Sequence, residues 1–168
     1  MKYIGNIGPK LDINLFYLDF DTNKISKEVL SVGNQKLNNN PLSSNHEDTY
    51  LNPLQGSETE KLIESIKNQF SSTYILESYW SHIHKPLEST NTHNHQGSDI
   101  SFAYYVKVPK DSGMFVVDLG PSINGPRIPI PPIEGSLIVF PAWMPHLVTK
   151  NLSNDIRISI SGNLRLKT

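Results

Sequence analysis

The sequence predicts a mainly β protein, a closed or sandwiched set of short strands with a helix laid against it. Three observations carry this expectation. From Thr73 onward apolar residues recur at alternate positions in short runs, which is the period of a half-buried strand. The 12 prolines and 10 glycines fall mostly between short apolar runs, where a strand-rich chain has to turn. One stretch near residue 60 has the three-to-four spacing of an amphipathic helix.

At 168 residues the chain has the usual size of one domain, read as N-terminal elements and a helix over 1–72 and a β-barrel core over 73–165. Acids and bases nearly balance, with a formal net charge of −1 and no basic cluster, which argues against nucleic acid as a partner. Without cysteine there is no disulfide framework, thiolate metal site or cysteine nucleophile. No stretch has the form of a leader peptide or the length to span a bilayer. A soluble cytoplasmic protein with no membrane partner is expected, in the host cytoplasm if the chain is viral. Oligomeric state has no signature here.

Taken in order, residues 11–20 begin with alternating apolar positions and read as a strand. Residues 24–32 fit a short helix or a further strand. Residues 33–52, rich in Asn, Ser and Pro, read as a long loop. Ser57-Glu58-Thr59-Glu60 is a capping box, in which the serine hydroxyl serves the amide of the third helical residue and the glutamate reaches back to the cap. The helix it opens runs to about Asn68, with Leu62, Ile63, Ile66 and Phe70 forming the buried stripe. Strands are then predicted over 74–83, 100–108, 114–119, 136–140, 146–149 and 156–164, with residues 120–132 as a loop stiffened by Pro129-Ile130-Pro131-Pro132.

The chemistry concentrates on a few of these faces. In Thr92-His93-Asn94-His95-Gln96-Gly97-Ser98-Asp99, the two imidazoles stand two apart. On an extended backbone both point the same way, as bidentate metal capture requires. His146 opens a later strand and completes a facial set if the fold brings the two strands together; Asp99 is the nearby carboxylate. Such sites with open positions suit non-haem Fe(II) oxygen chemistry. His82 and His84 share the spacing but rank lower, because Lys85 follows and no Gly turn or partner carboxylate does. In the last strand Ile156, Ile158 and Ile160 alternate with Arg157, Ser159 and Ser161. If the isoleucines pack under the helix, Arg157 and Ser159 face the barrel, and a buried guanidinium calls for an anion such as a small dicarboxylate. The other reading is an ordinary exposed Arg–Ser face on an edge strand. Trp80 and Trp143 read as packing anchors.

His93-x-His95, the run from Ser101 to Pro109, Gly135-Ser136-Leu137-Ile138-Val139-Phe140-Pro141, His146 and Arg157-Ile158-Ser159 together resemble the Fe(II)/2-oxoglutarate-dependent oxygenases, nearest a small bacterial and phage-type branch. The resemblance covers about 74–164. It is most specific in the distal half, where Arg157-x-Ser159 follows His146 by eleven positions, close to the family's interval between its distal ligand histidine and its carboxylate clamp. It implies a double-stranded β-helix (jelly-roll) barrel with one or two packed helices. It also implies Fe(II) as metal, 2-oxoglutarate as cosubstrate, and hydroxylation of a small molecule or a protein side chain driven by decarboxylation to succinate. By the same resemblance His93, His95 and His146 hold the metal. Arg157 and Ser159 clamp the far carboxylate of 2-oxoglutarate, and Tyr105 hydrogen-bonds it, with Tyr104 as the fallback. The sequence departs from the family's proximal His-x-Asp or His-x-Glu, since His95 stands where the carboxylate belongs; Asp99 is the alternative ligand.

Two rivals remain at this level. A cupin-type metal barrel working without 2-oxoglutarate fits the order His93, His95, Asp99, Gly135, Pro141, His146, with Asp in place of Glu. Against it stands Arg157-x-Ser159, for which a four-ligand cupin has no evident use. The other rival is a non-catalytic barrel binding a carbohydrate or a protein, its histidines merely polar.

Overall fold

A computed structural model describes residues 12–31, 47–50, 53, 55–120 and 126–167. In chain order the elements are β1 (Asn14–Tyr17), α1 (Thr22–Ser31), β2 (Glu47–Tyr50), α2 (Glu58–Asn68), β3 (Tyr74–His84), β4 (Thr90–His93), β5 (Ile100–Lys107), β6 (Phe115–Asp118), β7 (Arg127–Ile130), β8 (Ser136–Pro141), β9 (His146–Val148) and β10 (Arg157–Leu166). They form two antiparallel sheets, a six-stranded one in the order β1-β8-β5-β10-β3-β2 and a four-stranded one in the order β4-β9-β6-β7. From β3 to β6 the chain alternates between the sheets at every strand, and from β8 to β10 it does so again. This is the winding of a double-stranded β-helix, and the mainly β barrel with two packed helices is as expected.

Side-chain alternation builds two apolar layers from the same strands. On β5, Phe102, Tyr104 and Val106 face the helices, where they meet Ile25 and Val29 of α1, Leu62, Ile63 and Ile66 of α2, and Ile158 and Ile160 of β10. Ala103 and Tyr105 face the other way, into the space between the sheets, with Phe115, Val117, Ile138, Phe140 and Met144. The isoleucines of β10 do lie under the helices. Arg157 and Ser159 accordingly face the intersheet layer, and both are buried.

The capping box forms with one change of partner. Ser57 Oγ accepts from the Glu60 amide at 3.1 Å, while the Glu60 carboxylate takes the amide of Gly56, one residue before the cap. A second cap comes from α1, whose Glu28 carboxylate accepts from the Glu58 amide, the Thr59 amide and the Thr59 hydroxyl at 3.1, 2.8 and 2.7 Å. Partial burial pushes the Glu28 carboxyl up. The hydrogen bonds from Thr59 and Glu58, with nearby Lys24, outweigh it and hold the group below the usual carboxylate range. Glu28 thus ties the two helices while meeting the positive end of α2. Glu28→Ala is expected to cost about 1–2 kcal/mol by urea denaturation, more than Ser57→Ala, because three donors lose their acceptor at once. Equal stability of Glu28→Ala and wild type would contradict this role.

Two segments read as loop contain strands. Glu47–Tyr50 of the expected 33–52 excursion pairs antiparallel with β3, and Arg127–Ile130 of the expected 120–132 loop pairs with β6. Both are edge strands, where pairing on one side and prolines are tolerated, so their sequences carry little strand pattern. The remainder of the 33–52 excursion and residues 121–125 lie outside the described residues. β4, four residues long, is a further strand outside the predicted set. Among the described residues, no helix is long and apolar enough to cross a membrane.

Candidate active site

The histidines of β4 and β9 meet because these two strands pair with His93 directly opposite His146. A bulge makes the geometry possible. Between Thr90 and His93 the register shifts, three steps on β4 matching two on β9, from Val148 to His146. Residues three apart on a regular strand face opposite ways; the extra residue turns both inward. Thr90 then reaches His84 inside the barrel, and the His93 ring meets that of His146, 4.3 Å away between centroids. His95 lies just beyond the strand, held by its amide to the Ala142 carbonyl at 2.8 Å, with its ring 5.0 Å from His93 and 5.2 Å from His146.

Ligand-capable atoms of His93, His95 and His146 all lie within 4.8 Å of one another. Two of the imidazoles are oriented by their own backbone. His93 Nδ1 is 2.8 Å from the Asn91 carbonyl oxygen and His146 Nδ1 is 2.9 Å from that of Met144. A carbonyl only accepts, so Nδ1 carries the hydrogen in both rings and Nε2 keeps a free lone pair of the kind a metal ion can take. Phe115 stacks on His146 at 5.0 Å and Phe140 meets its edge at 4.8 Å, which makes a dry wall on one side. Trp80 packs tilted against His95 at 5.7 Å, and its indole N–H donates to His82 Nε2 at 2.7 Å. Trp80 is therefore part of the site wall, while Trp143 is 49% exposed and anchors no core.

Burial lowers the pKa of His95 to about 3, with the neighbouring His93 and His82 adding to the effect. Burial likewise lowers His146 to about 3, helped by His93 and His95 and opposed by the bond to Met144. In the unfolded chain both return to about 6.5. Below that pH the unfolded chain binds more protons, so the metal-free protein loses stability as pH falls from about 6.5 toward about 3. The slope is at most roughly 1.4 kcal/mol per pH unit for each imidazole. Urea denaturation of chelator-treated protein is expected to show this decline, and His95→Asn a shallower one. Equal slopes for the two proteins would contradict it.

Arg157 is 1% exposed. Its Nη1 donates to the Ser112 carbonyl at 3.1 Å and its Nη2 to His84 Nδ1 at 3.0 Å, while Nε is buried with no hydrogen-bond partner. Among the described ion pairs none involves Arg157. Burial pushes its pKa down to about 10, with Tyr105 acting the other way. Ser159 pairs across the strands with both Tyr105 and His82, next to a bulge in β5 that leaves Val106 without a partner on β10. Tyr105 is buried on this face, and burial lifts its pKa to about 12 against the pull of Arg157. Tyr104 faces the helices instead.

Of the residues singled out from sequence, His93, His95 and His146 therefore meet, and Arg157, Ser159 and Tyr105 share one interior face. Asp99 does not join the histidines. Its carboxylate accepts from the Leu166 amide at 2.8 Å and its amide donates to the Leu164 carbonyl at 2.9 Å, so it fastens the start of β5 to the end of β10. The chain turns at Gly97, whose φ is +103°, and Asp99 emerges on the exposed side. Sequence reasoning weighed His84 only as a lower-ranked member of a second histidine pair and missed its place beside Arg157. The period-two pattern places it inward, but the register that sets it opposite Arg157 is a property of the folded sheet.

Residues 78–163 match the model of a family described as "Putative 2OG-Fe(II) oxygenase". No curated protein matches the sequence. Similar solved structures include a prolyl-4-hydroxylase from Pseudomonas putida, at 17% identity over 94% of each chain with a TM-score of 0.71. The viral collagen prolyl hydroxylase of Paramecium Bursaria Chlorella virus-1, solved with 2OG, has 16% identity over 92% of this chain and 96% of that one, with a TM-score of 0.65. A Trichoplax adhaerens prolyl hydroxylase, in complex with a peptide of the hypoxia inducible factor oxygen degradation domain, has 16% identity over 91% of this chain and 83% of its own, with a TM-score of 0.67. At these identities the likeness concerns the fold. With the family match, it leaves the cupin reading unfavoured.

Proposed function

Because the chain belongs to the 2OG-Fe(II) oxygenase family, with Fe(II) and 2-oxoglutarate as cofactors, we propose that it is a hydroxylase whose metal is held by His93, His95 and His146 and whose cosubstrate is held by Arg157, Ser159 and Tyr105. The substrate is a small molecule or a side chain of a protein. One observation supports this reading above the others. A buried guanidinium with no carboxylate partner among the described residues faces the same intersheet layer as a cluster of three imidazoles. Burying a cation alone is costly, and the cost is recovered only when an anion enters.

The donor set fits the metal. Three neutral nitrogens within reach of one centre, two of them aimed by backbone carbonyls, leave open positions on a six-coordinate ion. Bound there, Fe(II) with 2-oxoglutarate and O2 would supply the oxidation, the cosubstrate leaving as succinate and CO2 while a substrate C–H becomes C–OH.

The protein's own groups bind, orient and keep the site dry. Arg157 offers its unpaired Nε–H and its remaining Nη hydrogens to the far carboxylate, with Ser159 Oγ beside it as a further donor. Tyr105 stays protonated at any physiological pH and donates its hydroxyl hydrogen to the same ligand. Phe115, Phe140 and Met144 keep water from the inner side of His146. Calorimetric titration of 2-oxoglutarate under argon, with and without Mn(II) as a redox-inert stand-in, tests the assignment. Saturable binding that requires the metal is expected; no binding in either condition would overturn it.

A further inference from the structure

We propose that His84 is the positioning residue for Arg157, a neutral imidazole that fixes the guanidinium without cancelling its charge and so makes the pocket selective for a keto acid with a second carboxylate. The inference rests on the reading of Arg157 as the cosubstrate clamp. His84 and Arg157 are direct partners on β3 and β10, and both are 1% exposed. A guanidinium only donates, so the 3.0 Å contact from Arg157 Nη2 makes His84 Nδ1 the acceptor, and that nitrogen carries no hydrogen. The ring hydrogen is then on Nε2, which donates to Thr90 Oγ1 at 2.8 Å. With one nitrogen accepting and one donating, the imidazole is uncharged.

Its place is fixed from behind as well. The buried side chain of Asn151 donates to the His84 carbonyl at 2.9 Å and to the Asp155 carbonyl at 2.8 Å, pinning the end of β3 to the loop that leads into β10. The other Arg157 acceptor, the Ser112 carbonyl, is also neutral. Next to it Gly113 has a φ of +90°, and a Cβ there would collide with the Thr149 carbonyl, so the loop carrying Ser112 can approach only through a glycine.

Most buried arginines are held by a carboxylate, which fixes the fork and neutralises it together. Here the two tasks are separated. Two neutral acceptors set the direction of the guanidinium, and the full positive charge remains for the ligand. An acid at position 84 would hold Arg157 equally well and remove the reason for a dianion to bind.

The test uses full-length protein loaded with Mn(II) under argon, titrated calorimetrically with 2-oxoglutarate and with pyruvate, which has the chelating keto acid but no far carboxylate. His84→Leu removes the acceptor, His84→Asn offers Oδ1 close to the place of Nδ1, and His84→Asp keeps an acceptor but adds a negative charge. Expected are losses of about tenfold to 100-fold in 2-oxoglutarate affinity for His84→Leu and His84→Asp, a change within about fivefold for His84→Asn, and pyruvate affinity within about threefold throughout. The proposal is overturned if His84→Asp binds 2-oxoglutarate like wild type, or if every variant loses both ligands in parallel. Should His84→Leu fail to fold by circular dichroism, the Asn and Asp variants decide alone. Arg157→Ala, run alongside, separates the two levels. If it binds 2-oxoglutarate like wild type, the clamp reading itself falls; if it loses binding and the position 84 variants do not, only the role of His84 falls.

Discussion

Arg157→Met is expected to lower 2-oxoglutarate affinity by 100-fold or more, on the order of 3 kcal/mol, while leaving the metal-free protein within about 1 kcal/mol of wild-type stability. The pairing of these outcomes is what the structure demands. Breaking a buried ion pair costs roughly 3–5 kcal/mol, because a charge is left alone in the interior. At Arg157 the charge is already without a carboxylate among the described residues, and the substitution strands only two neutral acceptors, His84 Nδ1 and the Ser112 carbonyl. Methionine fills most of the arginine stem and removes the desolvation that pushes this pKa down to about 10. A groove that keeps an unpaid charge for its ligand trades stability for binding. Chemical denaturation of the metal-free proteins and calorimetry with 2-oxoglutarate give both numbers. A large loss of stability with unchanged binding would make Arg157 a structural residue.

His146→Ala is expected to reduce metal affinity by about 100-fold or more and to abolish metal-dependent binding of 2-oxoglutarate. His146 is the most buried of the three imidazoles, paired with His93 and enclosed by Phe115 and Phe140. Its loss would leave two of the three imidazoles for the metal and open the dry side of the site. His95→Asp should behave otherwise, keeping metal affinity within about tenfold, since a carboxylate is a natural ligand for Fe(II). Metal titration under argon with a colorimetric chelator as competitor measures both. Wild-type affinity in His146→Ala would remove this histidine from the ligand set.

Much of this was legible in the chain. The Ser57 cap, the α2 stripe and the inward face of β10 depend on local period and chemistry, and they form as read apart from the partner of the Glu60 carboxylate. The strands β2 and β7 were not legible, because an edge strand is paired on one side and tolerates the polar and proline-bearing sequences found there. Asp99 was offered as a ligand by its nearness in sequence to His95. Direction after a glycine at positive φ is set by the turn, and it sends this carboxylate to Leu166. The β4 bulge that turns both Thr90 and His93 inward, and the register that puts His84 against Arg157, are relations between strands far apart in the chain, for which a single strand's sequence holds no signal.

The most direct test of the central claim is visible absorption of the Fe(II)-loaded protein under argon as 2-oxoglutarate is added. Chelation of the metal by a keto acid produces a charge-transfer band that neither component shows alone. The account predicts that the band appears and saturates in wild type, needs a higher 2-oxoglutarate concentration in Arg157→Met, and is absent in His146→Ala. No band in Fe(II)-loaded wild type at saturating 2-oxoglutarate would contradict it.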